Sequence, residues 1–388
     1  MTKVSFTELQ RQRPVSGLGI DPGPWYKQMR MSNPVAIDEE NTLCEVFRYK
    51  DVQTVLADAT RFSVEGTLDA AGEDVGSIAT MDPPRHNKMR ALVSQAFTPR
   101  AIAGQAGTIR TITNELLDDC AASDTLELIQ DFATPLPMRV IAGMLGVPLE
   151  RRNDFKRWTQ EIISPSPEVA MAAYQAFVNY MGELIEEKRK ERQDDVISAL
   201  FDAQVNGEVL SKQEMITFCV ALLGAGFETS QRMIGNLMLC LDDYPESRRQ
   251  VWADPSLVST TVEEGLRFRP VAPRLSRVVK KDTELGGKSI PAGYYLFAWL
   301  GSANRDEEQW KDPDVFDIHR LPNPHLEFGY GIHVCLGMPL ARLELTTTLE
   351  QFIERFKDVQ VIRDEPLQVI PSFGQYGLSQ LPLRVQKR

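Results

Sequence analysis

Apolar residues recur at helical spacing along two long segments of the chain. From Ser211 to about Leu239 they occupy most sides of the predicted helix, which is typical of a helix that crosses the interior of a domain. A second, amphipathic helix is predicted to begin at Met338-Pro339. Its apolar positions lie three or four residues apart, at Leu345, Leu349, Phe352 and Phe356. We expect the first of these helices to be the central one of the fold.

Short apolar runs between turn residues predict a small amount of β-structure. Pro34–Asp38 and Leu43–Arg48 flank a polar turn and are typical of a hairpin. Two more strands are predicted at Ile290–Gly293 and Tyr294–Leu300. Most other segments, such as Leu126–Leu149, have a helical pattern. The chain is therefore predicted to be mainly α with small β-sheets.

The composition is that of one large domain. The 388 residues are 43% hydrophobic, which is enough for a large core. Neither a Gly/Ser-rich linker nor a repeat or low-complexity tract divides the sequence. We predict a single domain over residues 1–388, in which residues 1–24 form a partly flexible N-terminal extension.

Charge and cysteine content limit the partners and the compartment. The 43 basic and 54 acidic residues give a net charge of -11, which argues against nucleic acid as a primary partner. Five widely spaced cysteines lack the density of a disulfide scaffold, so a reducing cytoplasm is expected. Since no apolar run approaches the ~20 residues that span a bilayer, we expect no membrane anchor.

The segment Phe328–Gly337 combines three glycines with one cysteine. The glycines allow backbone dihedrals that other residues avoid and the close approach of a flat group. Cys335 lies just before the predicted helix, near the positive end of its dipole. We therefore expect the Cys335 thiolate to be stabilised there.

Two other interpretations fit the residues around Cys335. An isolated cysteine is usually a small buried apolar residue. Together with His319, His325 and His333, Cys335 could instead bind zinc. The spacings of six, eight and two residues differ from those of paired zinc knuckles, and a second cysteine is not nearby. Zinc is therefore the less favoured metal.

The pattern F-G-x-G-x-H-x-C-x-G over Phe328–Gly337 resembles the haem-binding signature of the cytochrome P-450 family at every fixed position. The resemblance, to the soluble bacterial members, extends from about Trp25 to the C-terminus. It implies the cytochrome P-450 fold, in which a long central helix lies over a haem held by a cysteine loop. The cofactor would be heme b, with Cys335 as the axial ligand of the iron and with Phe328, Gly329 and Gly337 in contact with it.

Further cofactor contacts are implied by the same resemblance. Asp82, followed by two prolines, is expected to cap a helix that carries His86 and Arg90 on one face. A solvated charged face is the ordinary explanation of such a pair, but D-P-P-x-H-x-x-x-R resembles the family segment that reaches a haem propionate. Arg277 and His333 match two other propionate-binding positions.

The middle of the central helix matches the family pattern A-G-x-[DE]-T through Ala225, Gly226, Glu228 and Thr229. The resemblance implies that Ala225 and Gly226 leave space over the haem. Thr229 would hold the bound oxygen and organise water, and Glu228 would relay protons from solvent. A threonine bonded to the carbonyl four residues earlier would also loosen the helix locally. Without the resemblance, the glycines would serve close packing and Glu228 would point to solvent.

Glu264 and Arg267 form an E-x-x-R pair, which alone is usually a surface ion pair. With Arg320 they resemble the family's Glu-Arg-Arg cluster, and we assign them to folding and haem-pocket assembly. The substrate pocket implied by the resemblance is lined by Leu222, Ala225, Val271, Ala272, Leu275 and Phe373. Residues 63–79 are expected to form a loop over one side of it, and the turn at residues 164–167 a lid.

Together these features imply a haem-thiolate monooxygenase that hydroxylates an apolar fatty acid, steroid or terpenoid-like molecule with O2. Only 53 residues follow Cys335, so we expect electrons from a separate ferredoxin and ferredoxin reductase, docked at Arg85, Lys88 and Arg100. A monomer is expected. A peroxide-driven or non-oxygenating haem-thiolate enzyme and a haem sensor stay open as alternatives, although such proteins do not need the acid-alcohol pair Glu228-Thr229.

Overall fold

Helices form most of the structure, a computed structural model that describes residues 15–67, 77–120, 123–162, 166–370 and 374–388. The α-helices are α1 (Gly23–Ser32), α2 (Tyr49–Ala57), α3 (Arg85–Val93), α4 (Pro99–Gly104), α5 (Ala106–Asp119), α6 (Pro135–Met144), α7 (Arg152–Ile162), α8 (Pro167–Lys190), α9 (Val196–Asp202), α10 (Lys212–Asp243), α11 (Pro245–Ala253), α12 (Val258–Phe268), α13 (Leu300–Ala303) and α14 (Met338–Arg355).

The strands form small sheets at the side of the helices. They are β1 (Val35–Asp38), β2 (Leu43–Val46), β3 (Phe62–Ser63), β4 (Thr125–Glu127), β5 (Leu275–Val279), β6 (Thr283–Leu285), β7 (Lys288–Ile290), β8 (Tyr295–Ala298), β9 (Phe356–Val361) and β10 (Pro382–Lys387). One sheet has the order β1-β2-β8-β5-β3, another β4-β10-β9, and β6 pairs with β7. Only β2 and β8 pair in parallel among these strands of the described chain. The predicted mainly α fold with small sheets is confirmed.

The central helix α10 is 32 residues long and extends four residues beyond the predicted end, to Asp243. A capping box fixes its start, because the Ser211 hydroxyl accepts the backbone N–H of Glu214 and the Glu214 carboxylate accepts that of Ser211. The helix packs against α6, α8, α12 and α14. Two of its glycines allow close packing: a Cβ at Gly226 would lie 2.6 Å from Cδ1 of Ile141 on α6, and one at Gly235 would lie 2.8 Å from Cδ1 of Ile129. Close packing against neighbouring elements therefore explains why glycines, which are weak helix formers, occur at these two positions of the buried helix α10.

Some local predictions are wrong. The strand predicted at Ile290–Gly293 does not form, because β7 ends at Ile290 and a turn leads to β8. The segment Leu126–Leu149 is not helical throughout, since β4 and a π-helical turn at Leu128–Ala133 precede α6. Pairing of β4 with β10, far along the chain, overrides the helical pattern there. Asp82 does not cap α3, whose N-cap is Pro84. The Asp82 carboxylate instead accepts hydrogen bonds from the Ser63 hydroxyl at 2.6 Å and from the ammonium group of Lys280 at 2.9 Å.

The N-terminal region packs onto the five-stranded sheet. α1 begins at Gly23, within the predicted extension, and Trp25 and Tyr26 contact Phe47 and Trp299 edge-on or tilted. Residues 1–14 of the extension lie outside the described residues, as do residues 68–76 of the predicted loop and residues 163–165 of the predicted lid. Among the described residues, no helix combines the length and apolar character needed to cross a membrane.

Candidate active site

The cysteine loop is shaped by two left-handed glycines. Gly329 and Gly331 have φ values of +73° and +75°, which favour glycine. A Cβ on Gly331 would lie 2.8 Å from the carbonyl oxygen of Leu56, so the loop packs directly on α2. The N–H of Cys335 donates to the carbonyl of Phe328 at 2.8 Å. This bond closes the loop immediately before α14.

A largely apolar cavity lies between α10 and this loop. Protein atoms surround about 1190 Å³ of empty space, part of which is continuous with solvent. The predicted site residues that line it are His86, Arg90, Leu222, Ala225, Gly226, Thr229, Phe328, His333, Cys335 and Gly337. Apolar side chains such as Phe97, Ile141 and Phe218 complete the wall. Residues from three distant segments thus meet at one space, with Cys335 exposed toward it.

The Cys335 thiol is less acidic than we expected. Burial raises its pKa, although the backbone N–H groups of Gly337 and Met338 and the charge of Arg90 oppose this effect. The N-terminal end of α14 therefore favours the thiolate, as predicted, but its effect on the pKa is smaller than that of burial. A metal cation bonded to sulfur would supply the missing stabilisation, since coordinating thiols are deprotonated.

Four cationic or hydrogen-bonding side chains lie together beside the loop. The rings of His86 and His333 are 4.2 Å apart between centroids. Burial, and then the charges of His86 and Arg277, lower the pKa of His333 to about 4. Burial also lowers the pKa of Arg277 to about 10 and that of Arg90.

This cluster is suited to an anionic group. Buried cations are costly unless a counter-charge pairs with them. Within the described part of the chain, Nε2 of His333 is buried and makes no hydrogen bond. An unpaired donor or acceptor of this kind beside two arginines fits the carboxylates of a haem, and the Cys335 sulfur fits its iron.

Of the acid-alcohol pair Glu228-Thr229 on α10, only Thr229 is among the described residues that line the cavity. Thr229 lines the cavity, and its hydroxyl donates to the carbonyl of Ala225 at 2.5 Å, as the sequence predicts. The helix nevertheless stays continuous around it. Glu228 lies outside the set of described residues that line the cavity, and its Oε2 is 3.3 Å from Nη2 of Arg232. Sequence reasoning missed Arg232, although the i, i+4 spacing indicates such a pair.

The predicted Glu-Arg-Arg cluster is present and buried. Glu264 and Arg267 are both 0% exposed, with Oε1 and Nη2 2.7 Å apart. Arg320 contacts Glu264 at 3.2 Å. Arg267 also donates to the carbonyls of Asn304 and Pro313. The cluster thus connects α12 to the chain that precedes the cysteine loop.

Five other predicted residues are not among those that line this cavity. Val271, Ala272, Leu275, Arg277 and Gly329 are outside the set of described residues that line it. Phe373 lies outside the described residues.

The zinc alternative receives no support from the described ranges, where no group of three His, Cys, Asp or Glu side chains could hold a metal ion. His319 contacts Gln250, and His325 contacts Glu263.

Two buried acids were also missed. Glu327 and Glu344 are 5% and 1% exposed, and burial raises the pKa of each to about 8. Neither carboxylate oxygen of Glu344 has a hydrogen-bond partner among the described residues, and only Ser230, which lines the cavity, opposes the rise of its pKa. Each acid stands between apolar neighbours in the sequence, and this pattern could have indicated a buried carboxyl.

Comparisons with known proteins agree with this geometry. Residues 253–386 match the family model described as cytochrome P-450. YjiB of Bacillus subtilis (strain 168) is 40% identical over 365 residues, covering 91% of this chain and 92% of that protein. The structure of CYP109Q5 from Chondromyces apiculatus is 39% identical, covers 100% of this chain and 99% of that one, and has a TM-score of 0.90. That of CYP109E1 from Bacillus megaterium in complex with corticosterone is 38% identical, with coverages of 94% and 98% and a TM-score of 0.88.

The chain therefore belongs to the cytochrome P-450 family. Proteins of this family bind haem b, and the chain is accordingly an oxidoreductase of the monooxygenase class.

Proposed function

We propose that this protein hydroxylates an apolar small molecule of the fatty acid, steroid or terpenoid kind, using O2 and two electrons from a separate ferredoxin and its reductase. The observation that carries the proposal is the apolar cavity, because Thr229 and Cys335 both line it. A concave apolar site with few polar groups suits an apolar ligand. The corticosterone complex of the relative CYP109E1 supports a steroid among the candidates.

Cys335 holds the haem iron as a thiolate in this proposal. When bound, haem supplies the activation of O2 and the insertion of one oxygen atom into a C–H bond. Arg90, Arg277, His86 and His333 bind the haem carboxylates by charge-assisted hydrogen bonds. The buried positions of His86 and Arg277 support this role. The apolar wall excludes water and keeps the substrate beside the reacting group.

Thr229 and Glu228 deliver protons in this proposal. The Thr229 hydroxyl donates to Ala225 and keeps its lone pairs free to order a water molecule in the cavity. Glu228 has 19% of its side chain exposed and can exchange protons with solvent. Because Glu228 is paired with Arg232, proton transfer to the Thr229 side requires a change of rotamer or a bridging water.

Spectra and product analysis test the proposal together. Reduced protein under carbon monoxide should show the red-shifted Soret band of thiolate ligation, and Cys335→His should move it. Addition of a fatty acid, a steroid or a terpenoid should shift the Soret band for the class that binds. With ferredoxin, reductase and NADPH, labelled O2 should give a product that carries one labelled oxygen atom. Product formation from peroxide alone, without label from O2, would favour the peroxide-driven alternative.

We also propose that the protein is a cytoplasmic monomer. Its five cysteines are all unpaired, which supports a reducing compartment. Gel filtration with light scattering tests the monomer, and a dimer mass would contradict it.

A further inference from the structure

A buried carboxyl group at the start of the cysteine loop has no part in the mechanism above. Glu327 directly precedes Phe328 and is 5% exposed. Its Oε1 accepts the backbone N–H of Val271 at 2.9 Å, whereas Oε2 has no hydrogen-bond partner in the described chain. A half-satisfied buried carboxyl costs folding free energy. We therefore expect Glu327 to have a role that offsets this cost in folding free energy.

The contacts of Glu327 join two segments of the candidate haem site. Val271 lies in the connection between α12 and β5, and β5 carries Arg277. The carbonyl of Val271 accepts the N–H of Tyr376 at 2.6 Å, so this connection is held on both sides. Glu327 thus ties the start of the cysteine loop to the segment that positions Arg277.

On its other side, the cysteine loop is tied to α12. The backbone N–H of Glu327 donates to Nδ1 of His325 at 3.3 Å, and Nε2 of His325 lies 3.1 Å from Glu263. The Nε2–H tautomer satisfies both contacts, because Nδ1 must then accept. The loop therefore begins between two fixed attachments, one through the Glu327 backbone and one through its side chain.

The charge of Glu327 also reaches the sulfur ligand. An ionised Glu327 raises the pKa of the Cys335 thiol, whereas Arg90 lowers it. Burial raises the pKa of Glu327 itself to about 8, against the N–H groups of Val271 and Ala272. The carboxyl can therefore gain or lose its charge at mildly alkaline pH.

Other charged groups near this segment largely compensate one another. Glu263 of α12 pairs with Arg342 of α14 through two hydrogen bonds of 2.7 and 2.8 Å, and His325 completes the set. Burial opposes ionisation of Glu263, but these partners lower its pKa to about 2. A change in the charge of Glu327 is therefore not balanced by this neighbouring group near neutral pH.

We propose that Glu327 is a positioning residue of the haem site, which holds the cysteine loop against the α12–β5 connection and whose negative charge makes the haem iron harder to reduce. The inference rests on Cys335 as the haem ligand and so on the proposed function. Reduction adds one electron, from the ferredoxin in turnover or from an electrode in the test. The added negative charge is disfavoured by a nearby carboxylate, and a proton taken up from solvent by Glu327 relieves this repulsion.

The midpoint potential of the haem iron, measured in the holoprotein by spectroelectrochemistry, tests the inference. It should be compared at about pH 6.5 and about pH 9, on either side of the Glu327 pKa of about 8. The wild-type potential should become more negative at the higher pH by a larger amount than that of Glu327→Gln. The glutamine carbonyl can still accept the Val271 N–H, so haem content should be retained. Glu327→Met, which keeps the volume without charge or acceptor, is the second variant and should show the same reduced pH dependence with weaker haem retention.

Glu344→Gln is the matched control. Glu344 is an acid of similar burial and raised pKa on α14. Its substitution should leave the wild-type pH dependence of the potential unchanged. Equal pH dependence in wild type and Glu327→Gln would overturn the inference, and so would an equal effect of Glu344→Gln. A wild type without a thiolate-type spectrum would overturn the proposed function as well, whereas a normal spectrum with equal pH dependence overturns the role of Glu327 alone.

Discussion

At the residue scale, the motifs identify the chemical groups but not their surroundings. The sequence indicates Cys335 and Thr229 correctly as residues of one cavity. It does not predict that burial raises the pKa of Cys335 or that Glu228 pairs with Arg232. Both facts depend on side chains that meet only after folding. Residue type and spacing are therefore sufficient for a list of candidates, and insufficient for their protonation and pairing.

The separate positions of Glu228 and Thr229 predict different phenotypes. Glu228→Gln removes the proton carrier and should slow turnover by about 100- to 10,000-fold. Thr229→Ala removes the hydroxyl that lines the cavity, so electrons should be diverted to peroxide while NADPH is still consumed. NADPH consumption, product and peroxide are measured for each variant with a ligand that shifts the Soret band.

Thr229→Ser is the control for this pair, because it retains the hydroxyl and should retain most of the coupling. Substrate and haem binding should stay near wild type in all three variants. Wild-type coupling in Thr229→Ala together with wild-type rate in Glu228→Gln would contradict both roles. The pair would then be explained by helix packing alone.

At the scale of elements, periodicity predicts long helices better than short ones. The starts of α10 and α14 follow from local signals, the capping box at Ser211 and the proline at Pro339, whereas α10 ends four residues later than predicted and Phe356 belongs to β9. The segment at Leu126 was misassigned, because its apolar residues suit a helix or a strand equally. Pairing of Leu126 with Leu383 on β10 decides between the two. Such a long-range contact leaves no local signal.

The Glu264–Arg267 pair gives an element-scale prediction about the attachment of α12. Arg267→Met should lower the free energy of unfolding by about 3–5 kcal/mol, since it leaves a fully buried carboxylate without its main partner. Urea unfolding followed by circular dichroism, together with haem content, measures the effect.

Arg249→Met is the control for the buried pair. Arg249 contacts Glu246 on α11 with both side chains about two-thirds exposed, and such pairs contribute about 0–1 kcal/mol. Similar losses of stability in the two variants would show that the burial of Glu264 does not determine the cost. A larger loss in Arg267→Met together with lower haem content would support its role in assembling the pocket.

At the scale of the whole molecule, the net charge of -11 does not exclude a surface that is locally basic. Arg85, Lys88 and Arg100 are exposed on and next to α3, the helix that also carries His86 and Arg90. Lys88 is paired with Glu208, which reduces its contribution. Arg100 on α4 is therefore the position at which we test the attraction of a ferredoxin with an acidic surface.

Arg100→Glu should weaken electron transfer from ferredoxin, and the wild-type rate should fall as salt is added, because screening removes long-range attraction. The rate of haem reduction is measured at several salt concentrations. Arg384→Glu, an equal charge reversal at an exposed position of β10, is the control and should have a smaller effect. A rate that is independent of salt would contradict electrostatic docking at this surface.

The buried acids also predict how the stability of the whole molecule depends on pH. Glu344 has a pKa of about 8 in the folded protein, above its unfolded value of about 4.3. The folded state therefore binds the proton more tightly, and its contribution to stability is fully present below the unfolded pKa. As the pH rises from there through about 8, the contribution is lost, because the unfolded chain releases the proton while the folded chain still holds it. Glu344→Gln removes this loss.

Urea unfolding of the holoprotein at about pH 5, about pH 7 and about pH 9 tests this prediction. The free energy of unfolding of the wild type should decrease relative to that of Glu344→Gln as the pH rises, whereas the exposed Glu284→Gln should follow wild type. A constant difference between wild type and Glu344→Gln at all three values would mean that Glu344 is ionised in the folded protein throughout this range, and that its burial is compensated by a partner.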